Sequence, residues 1–488
     1  MGEGRGIVNI SKEKRFVFDS IDRNREALAL LCDNIFYFAE LGMQEFETSG
    51  LMTDLLAKAG FKIEKNLSGM PTAFAASYGS GKPVIALHTE YDATPACSQR
   101  AGVTEPMPIL EGAPGHTEGH NVNGAVMVGA ALAIKKAMDE FGLNGTLKVF
   151  GAPGEEQLVS RPYFVRDGYF NDVDVALHDH IGKEFGTVYG LRQYALISAE
   201  FTFKGQSAHA ATAPWNAKDA LDAVVLMDIG WDKLREHLEP TQRSHRVITN
   251  GGDQPNVIPN KSSIWWFFRE ATAEKTRALF EKAKRIAEGA AIMTDTSYSV
   301  NVLSAVWPTR ANRTLAEVIQ SNVEQIGMPQ WSEGEQGMVH ELQAKLKIKP
   351  TGMPSKITPL KECVQSVSAN DSGEVSWVVP TGLITFPSNI PGVSYHHWSA
   401  GVSLATSIAH KGAIVGAKAM AASALDLFLD PQLVAQAKET FQDEIGGTEY
   451  CPLLPPEQKP PVDLNRAIME RYRPAMRENY LKVKPVFS

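Results

Sequence analysis

The stretch with the clearest chemical potential is 115–121, where the sequence GHTEGHN places a carboxylate and an imidazole two residues apart. Side chains at positions i and i+2 converge on one point only where the backbone is extended or tightly turned, which the flanking glycines permit. Carboxylate and imidazole are donors that zinc and manganese accept. The stretch therefore indicates a metal site with Glu118 and His120 as ligands. The alternative is a polar loop that caps the next helix, with Asn121 as the N-cap.

A pair of adjacent carboxylates, Glu155 and Glu156, follows the apolar segment 146–150 in the sequence GAPGEE. Adjacent carboxylates at the end of a buried strand are costly unless a cation or a proton-transfer step uses them. One of them can bind a metal while its neighbour acts as general base toward the bound water. The alternative is a solvated loop in which the glutamates are incidental.

Other strand-like segments also end in residues that bind metals or move protons. The apolar run 84–88 leads into Glu90, and the run 173–177 leads into His178 and His180. Open α/β sheets carry their active sites at the carboxyl ends of their strands. A single histidine at a strand end is more often structural. The evidence for a functional site is that several strand-like segments end in such residues. This recurrence favours a metal centre.

The order of predicted elements divides the chain into a catalytic domain and an inserted lid. A chain of 488 residues is too long for one ordinary core. Segment 193–308 has the order β-α-β-β-α-β, which is typical of a split βαβ, ferredoxin-like domain. We predict that segments 1–192 and 309–488 form the two parts of an α/β/α catalytic domain. The fold class is therefore α/β.

Periodicity and composition also predict several elements outside the lid. A helical pattern covers residues 11–40, and a helix rich in small residues covers 406–429. Segment 330–368 is polar and interrupted by proline and glycine, and we predict a long functional or variable loop there. The segment beyond residue 430 is rich in proline and charge, and we expect it to wrap the surface.

Composition argues against several classes of protein. The net charge of −8 disfavours a nucleic-acid or anionic-membrane surface. The 4 cysteines form no CxxC pair, which is typical of reduced thiols. The polar segment 1–15 lacks a signal sequence, and no apolar run reaches membrane-spanning length. We therefore predict a cytoplasmic protein with no nucleic-acid or membrane partner.

The ordered motifs resemble those of the cocatalytic metallopeptidase and amidohydrolase family, which includes carboxypeptidase G, aminoacylases and indoleacetyl-amino-acid hydrolases. The resemblance covers nearly the whole chain and implies an α/β/α catalytic domain with a lid that mediates dimerisation. The matching features are Glu90-x-Asp92, GHTEGHN, GxPGEE, the segment with His178 and His180, Ala208-His209-Ala210, PNVIP and His396.

The resemblance implies a role for each matching residue. Glu155 matches the general base, and His209 matches a lid histidine that stabilises the oxyanion in the partner subunit's site. Asn256 and Arg269 resemble lid residues that hold the substrate carboxylate. Asp92 matches an aspartate that orients a ligand histidine, whereas we interpret Asp371 as a helix or loop cap. The implied metal ligands are Glu118, His120, Glu156, His180 and His396.

Glu118 departs from one branch of this family, in which the motif GHxCGH carries a cysteine thiolate as a bridging ligand. With Glu118 in that position, every donor is an oxygen or an imidazole nitrogen. Such a set shifts the preference toward harder ions such as manganese. We expect manganese or zinc, with one or two ions per subunit.

Three functional hypotheses follow. The leading hypothesis is metal-dependent hydrolysis of the amide bond of an N-acyl or N-aroyl amino acid, such as an aminobenzoyl-glutamate-like compound. A second is hydrolytic deamination of an activated aminoaromatic acid by attack of water on a ring carbon. The third is a non-catalytic binding protein that lost its metal. We expect a small carboxylate ligand and a homodimer formed through the lid, or a larger homo-oligomer.

Overall fold

In the computed structural model, which describes residues 10–362 and 364–488, the strands fall into three sheets. Cys363, one of the predicted reduced cysteines, lies outside the described residues. The strands are β1 (Lys62–Lys65), β2 (Phe74–Ser80), β3 (Val84–Thr89), β4 (Gly145–Gly151), β5 (Val175–Gly182), β6 (Val188–Tyr189), β7 (Ala195–Lys204), β8 (Arg243–Asn250), β9 (Lys261–Glu270), β10 (Ser297–Val306), β11 (Lys361–Glu362) and β12 (Thr381–Pro387).

The largest sheet has the order β1-β2-β4-β3-β5-β12. Neighbouring strands from β4 to β12 run parallel, whereas β2 pairs antiparallel with both β1 and β4. Every residue of β3 is buried, as expected for a strand that is covered on both faces. The carboxyl ends of β3, β4, β5 and β12 therefore meet at one edge of the sheet, where α/β proteins bind their ligands.

Helices cover both faces of this sheet. Ile85 and Leu87 of β3 pack into an apolar cluster with two long helices, and Ala86 packs with Tyr163 and Phe164 on the opposite face. This arrangement confirms the predicted α/β/α architecture. The helices are α1 (Lys12–Arg23), α2 (Arg25–Phe38), α3 (Phe46–Lys58), α4 (His120–Phe141), α5 (Ser160–Arg166), α6 (Ala220–Leu234), α7 (Ala273–Met293), α8 (Arg313–Ile326), α9 (Glu333–Lys345), α10 (Ser372–Val375), α11 (Trp398–Gly401), α12 (Ser407–Leu429), α13 (Pro431–Ile445) and α14 (Arg466–Met476).

The predicted lid contains an antiparallel sheet of order β10-β7-β9-β8. Its chain order, β7-α6-β8-β9-α7-β10, is the predicted β-α-β-β-α-β order. The aromatic rings of Trp231 on α6 and Trp266 on β9 are fully buried between the helices and the sheet. β8 is an edge strand, and its Val247 and Ile248 are 54% and 44% exposed.

The single helix predicted over residues 11–40 is wrong, because the chain forms α1 and α2 with a break at Asn24. The Asn24 side chain donates to the carbonyl of Ser20 at 2.8 Å and accepts from the backbone N–H of Ser488 at 2.7 Å. An asparagine side chain that bonds to backbone groups competes with the helical hydrogen bonds. The apolar periodicity continues across the break because α1 and α2 both contact α4.

The long loop predicted over 330–368 contains a helix, α9, so that prediction is wrong in part. Ser332 and Glu335 form a capping box, in which each side chain satisfies the other residue's backbone N–H. Val339 and Leu342 are buried, and these few apolar residues make the helical period weak. The sequence feature that indicates this helix is therefore the capping box of Ser332 and Glu335, and not its apolar periodicity.

The segment beyond residue 430, predicted to wrap the surface, contains two helices that were not predicted, α13 and α14. Met469 and Met476 of α14 are buried, and Arg473 forms an ion pair of 3.1 Å with the buried Glu40. The segment therefore forms part of the core as well as covering it.

Among the described residues, α12 is the one helix whose length and composition would suit a membrane span. It is a core helix, since 78% of its most apolar window is buried within the protein.

Candidate active site and metal centre

The predicted metal ligands converge at the carboxyl edge of the central sheet. Nε2 of His396 lies 3.0 Å from Oε1 of Glu118 and 2.9 Å from Oε2 of Glu156. The other oxygen of Glu118, Oε2, lies 3.7 Å from Nε2 of His120 and 3.6 Å from Nε2 of His180. Glu118 therefore presents one oxygen to each half of the site, one half with His120 and His180 and the other with Glu156 and His396.

The turn before α4 has the tight geometry that the glycine spacing predicts. Gly119 has φ of +105°, and a Cβ there would lie 2.3 Å from the side chain of Ile181. Only glycine fits this position, which points Glu118 and His120 toward the same space. Gly119 is also the N-cap of α4, whereas Asn121 donates to the carbonyl of Leu404 at 2.9 Å. The alternative role of Asn121 as the N-cap is therefore wrong.

Two histidines have the hydrogen bonds that metal ligands require. Nδ1 of His120 pairs with Oδ1 of Asp92 at 3.1 Å, and Nδ1 of His180 pairs with the carbonyl of Ile181 at 2.8 Å. An N–H on Nδ1 leaves the lone pair on Nε2 for a cation. Nε2 of His120 is buried and has no hydrogen-bond partner among the described residues. Asp92 thus orients a histidine, as the resemblance predicted.

The loop after β4 holds its two glutamates in a buried position. Gly154 has φ of +68°, and its N–H donates to the buried carboxylate of Glu45 at 2.8 Å. The N–H of Glu156 donates to Oδ2 of Asp92 at 3.0 Å. The side chains of Glu155 and Glu156 are each 7% exposed, so the alternative of a solvated loop is wrong.

Burial and crowding separate the proton affinities of the acidic side chains. Burial raises the pKa of Glu155 well above its usual range, and it raises that of Glu156 to about 7 with help from the charge of Glu118. Burial also acts on Glu118, but the nearby imidazoles of His120 and His396 hold its pKa below the usual range. Glu155 therefore has the high proton affinity that suits a general base, and its Oε2 lies 3.7 Å from Nε2 of His120.

A buried ionic network, which was not predicted from the sequence, lies behind the metal donors. Arg161 on α5 is fully buried and forms ion pairs with Glu90 and Asp371, and its Nε donates to His88 at 3.1 Å. Nε2 of His178 lies 3.0 Å from Glu90. Asp371 occupies the N-cap position of α10, and its carboxylate accepts from the backbone N–H of Arg161 in the first turn of α5 at 3.0 Å. Nothing in the sequence around Arg161 distinguishes it from a surface arginine.

A cavity of about 340 Å³ opens from the metal donors toward the lid. Arg269 and Arg310 line it together with Phe267. Burial lowers the pKa of both arginines, and neither forms an ion pair with a carboxylate among the described residues. The structure thus places the predicted Arg269 at the site and adds Arg310, which the sequence did not indicate. Predicted site residues His209 and Asn256 lie on neighbouring exposed loops and do not line this cavity within the described chain.

The donors present fit a divalent transition metal. Two sets of donor atoms each lie within 4.8 Å of one another, one in Glu90, His120 and His180 and the other in Glu118, Glu156 and His396. Oε1 of Glu156 is buried without a hydrogen-bond partner among the described residues, like Nε2 of His120. Buried donors that face each other without partners are costly unless a cation joins them.

Comparisons with known proteins agree with this geometry. Residues 191–293 match the family described as the peptidase dimerisation domain. One of the p-aminobenzoyl-glutamate hydrolase subunits of Escherichia coli is 34% identical over 90% of this chain and 97% of its own length. The Xaa-Arg dipeptidase of Mus musculus is 27% identical over 88% and 92% of the two chains. A Bacillus subtilis structure, described as a dinuclear metal-binding peptidase of the M20 family, has a TM-score of 0.52 at 17% identity over 85% and 99%.

The fold and the site define a hydrolase that acts on C–N bonds and uses a divalent metal. The chain belongs to the M20 family of metallopeptidases and amidohydrolases. The predicted family membership and fold class are therefore confirmed.

Proposed function

We propose that this enzyme hydrolyses the amide bond of an N-acyl or N-aroyl amino acid whose amino-acid part is acidic. The observation that carries the proposal is one cavity with Glu155 and metal donors in its lining, together with two guanidinium groups that form no ion pair among the described residues. The likeness to the p-aminobenzoyl-glutamate hydrolase of Escherichia coli supports the same class of substrate. We also propose a cytoplasmic location, in keeping with the free thiols of Cys32, Cys97 and Cys451.

The proposed metal centre would hold two ions, and Glu118 would be the ligand available to both. Its two oxygens face different halves of the site, 3.0 Å from His396 and 3.6 Å from His180. Because the donors are carboxylate oxygens and imidazole nitrogens, manganese is the preferred ion and zinc the alternative. The five proposed ligands are Glu118, His120, Glu156, His180 and His396.

When bound, the ions would lower the pKa of a coordinated water and polarise the scissile carbonyl. Glu155 accepts the proton of the attacking water and passes it to the nitrogen of the leaving amine. The burial of Glu155 supports this role, because burial raises the pKa of its carboxyl and so favours uptake of a proton.

The substrate carboxylates have two candidate partners. Arg269 has a buried Nε with no hydrogen-bond partner among the described residues, and it is proposed to hold the α-carboxylate. Arg310 stacks on Trp377 at 4.6 Å and donates to the backbone carbonyl of Glu444, which leaves its charge available to a second carboxylate. Two guanidinium groups favour a glutamate-like product over an arginine-like one, because like charges repel in a half-buried cavity.

The lid is proposed to form a homodimer that completes the site. Edge strand β8 exposes a row of backbone groups and the apolar side chains of Val247 and Ile248, which suits pairing with a second copy. His209 and Asn256 lie on adjacent exposed loops of the lid, joined by the bond from Ala210 N to Asn256 O at 3.1 Å. We propose that these loops reach the cavity of the partner subunit, where His209 stabilises the oxyanion and Asn256 assists in holding the substrate.

The test is a product analysis with manganese-loaded protein and p-aminobenzoyl-glutamate, against a chelated sample. Equimolar glutamate and p-aminobenzoate, formed only with metal, are the expected products. Ammonia without glutamate would replace the proposal with aromatic deamination. Metal-loaded protein that releases none of these products would refute the proposed substrate class. p-Aminobenzoyl-arginine serves as the matched substrate of opposite charge, and we expect its turnover to be slower.

A further inference from the structure

We propose that Glu90 is a further metal donor, which completes the half of the site that contains His120 and His180. This inference rests on the proposed function, because it requires an ion in that half of the site. Glu90 follows the carboxyl end of β3 and is fully buried. Its carboxylate lies between the ionic network of Arg161 and the cluster of metal donors.

The distances around this half suit a four-donor site. Oε1 of Glu90 lies 3.8 Å from Nε2 of His180. Oε2 of Glu118 lies 3.6 Å from the same nitrogen and 3.7 Å from Nε2 of His120. Donors bound tetrahedrally at roughly 2.0–2.2 Å are separated by roughly 3.3–3.6 Å. These three separations are therefore close to those around a single ion.

The unsatisfied nitrogen supports the same conclusion. Nε2 of His120 is buried, and no described residue forms a hydrogen bond with it. Donor atoms of Glu90, His120 and His180 all lie within 4.8 Å of one another. A buried imidazole lone pair that faces two carboxylates indicates that a cation belongs between them.

Glu90 keeps the capacity to bind an ion despite its other partners. A carboxylate has about four lone-pair positions. Arg161 donates to Oε2, and Nε2 of His178 lies 3.0 Å from Oε2 and 3.1 Å from Oε1. A lone pair on Oε1 of Glu90 therefore remains available to an ion on the side that faces His180. The contacts of Arg161 and His178 also fix the carboxylate in one orientation, as outer partners of metal ligands do.

Asp371 provides a matched comparison for a purely structural role. It is buried and forms an ion pair with Arg161, as Glu90 does. Its remaining partners are the hydroxyl of Ser160 at 3.2 Å and the backbone N–H of Arg161 at 3.0 Å. It belongs to neither set of clustered donors among the described residues. Removing its charge disturbs Arg161 to a similar degree without touching the proposed donor set.

The experiment compares wild type, Glu90→Gln and Asp371→Asn after loading with manganese and dialysis. Metal content per chain is measured by elemental analysis, and affinity by isothermal titration calorimetry. Melting temperatures and circular dichroism check the fold. If Glu90→Gln does not fold, Glu90→Asp keeps the charge on a shorter side chain and takes its place.

We expect wild type and Asp371→Asn to retain two ions, and Glu90→Gln to bind one of them at least about tenfold more weakly. Two ions of unchanged affinity in Glu90→Gln would show that Glu90 is not a donor, while the proposed function would stand. Equal loss of an ion from both variants would assign Glu90 to the structural network alone. A wild type that binds no metal would instead refute the proposed function itself.

Discussion

Asp92 accepts a hydrogen bond from Nδ1 of His120 at 3.1 Å through one of its carboxylate oxygens. Through the other oxygen it accepts from the backbone N–H of Glu156 at 3.0 Å. His120 and Glu156 belong to different halves of the proposed metal centre. A single buried carboxylate therefore sets the geometry of both halves at once.

Asp92→Ala tests this relationship. Without the carboxylate, the ring of His120 loses its orientation and Glu156 loses a contact of its backbone, so both halves are affected. We expect manganese affinity to fall by about 10–100-fold, as measured by calorimetry. Asp172→Ala is the control, because Asp172 is exposed and pairs with Lys148. Unchanged affinity in Asp92→Ala would contradict the positioning role.

Glu155→Gln and Glu156→Gln should separate catalysis from metal binding. Glutamine at position 155 cannot accept the proton of water, so we expect turnover to fall by about 10²–10⁴-fold with metal content unchanged. Glutamine at position 156 replaces a charged donor by a weak one, and we expect loss of metal from the half with His396. Steady-state kinetics and elemental analysis on the same samples check both results. Equal metal loss in the two variants would undermine the separate roles.

Arg310→Met tests the recognition of a second carboxylate. A hydrogen bond to a charged group contributes about 1.5–3 kcal/mol, or roughly 10–100-fold in binding. We expect KM for p-aminobenzoyl-glutamate to rise by about this factor, while KM for p-aminobenzoyl-glutamine changes little. Arg313→Met is the control, because Arg313 is exposed and pairs with Glu317. A similar rise for both substrates would mean that Arg310 does not distinguish the side-chain carboxylate.

His209→Ala tests whether the lid of one subunit completes the site of its partner. We expect turnover to fall by about 10²–10³-fold, as for loss of an oxyanion donor. Mixing His209→Ala with Glu155→Gln should restore activity after subunit exchange. In the mixed dimer, one site has both Glu155 and the partner subunit's His209. A mixture that stays inactive, although mixed dimers form, would place His209 within its own subunit's site or outside catalysis.

The sequence predicted which side chains converge at the carboxyl edge of the central sheet, because these residues lie close to chemically distinctive turns. Gly119 and Gly154 mark tight turns, and the carboxylates and imidazoles beside them follow strand ends. The lid was predictable because its strands and helices alternate in a short, regular order. These features are local, so they can be recognised before the fold is known.

The elements that were missed depend on distant contacts. The break at Asn24 is supported by Ser488, which lies at the other end of the sequence. Arg161 is buried because it forms ion pairs with Glu90, which follows β3, and with Asp371, which precedes α10. These partners are distant in the sequence, so no local pattern indicates the network. Arg310 lines the cavity because it follows β10, the last strand of the lid, where the chain passes back to the catalytic domain. Burial of a charge is decided by tertiary structure, which the order of motifs does not give.

Glu118 has a consequence for how this enzyme tolerates oxidants. A thiolate ligand is a target for peroxide and alkylating agents, whereas a carboxylate is inert to both. Among the described cysteines, Cys97 comes near the site, with its Sγ 3.8 Å from the carbonyl of His396. None of the proposed ligands is a thiol, so chemical damage to cysteine would act on the surroundings of the site and leave its donors intact. We therefore expect the proposed ligands to be less sensitive to peroxide than a set that includes a thiolate.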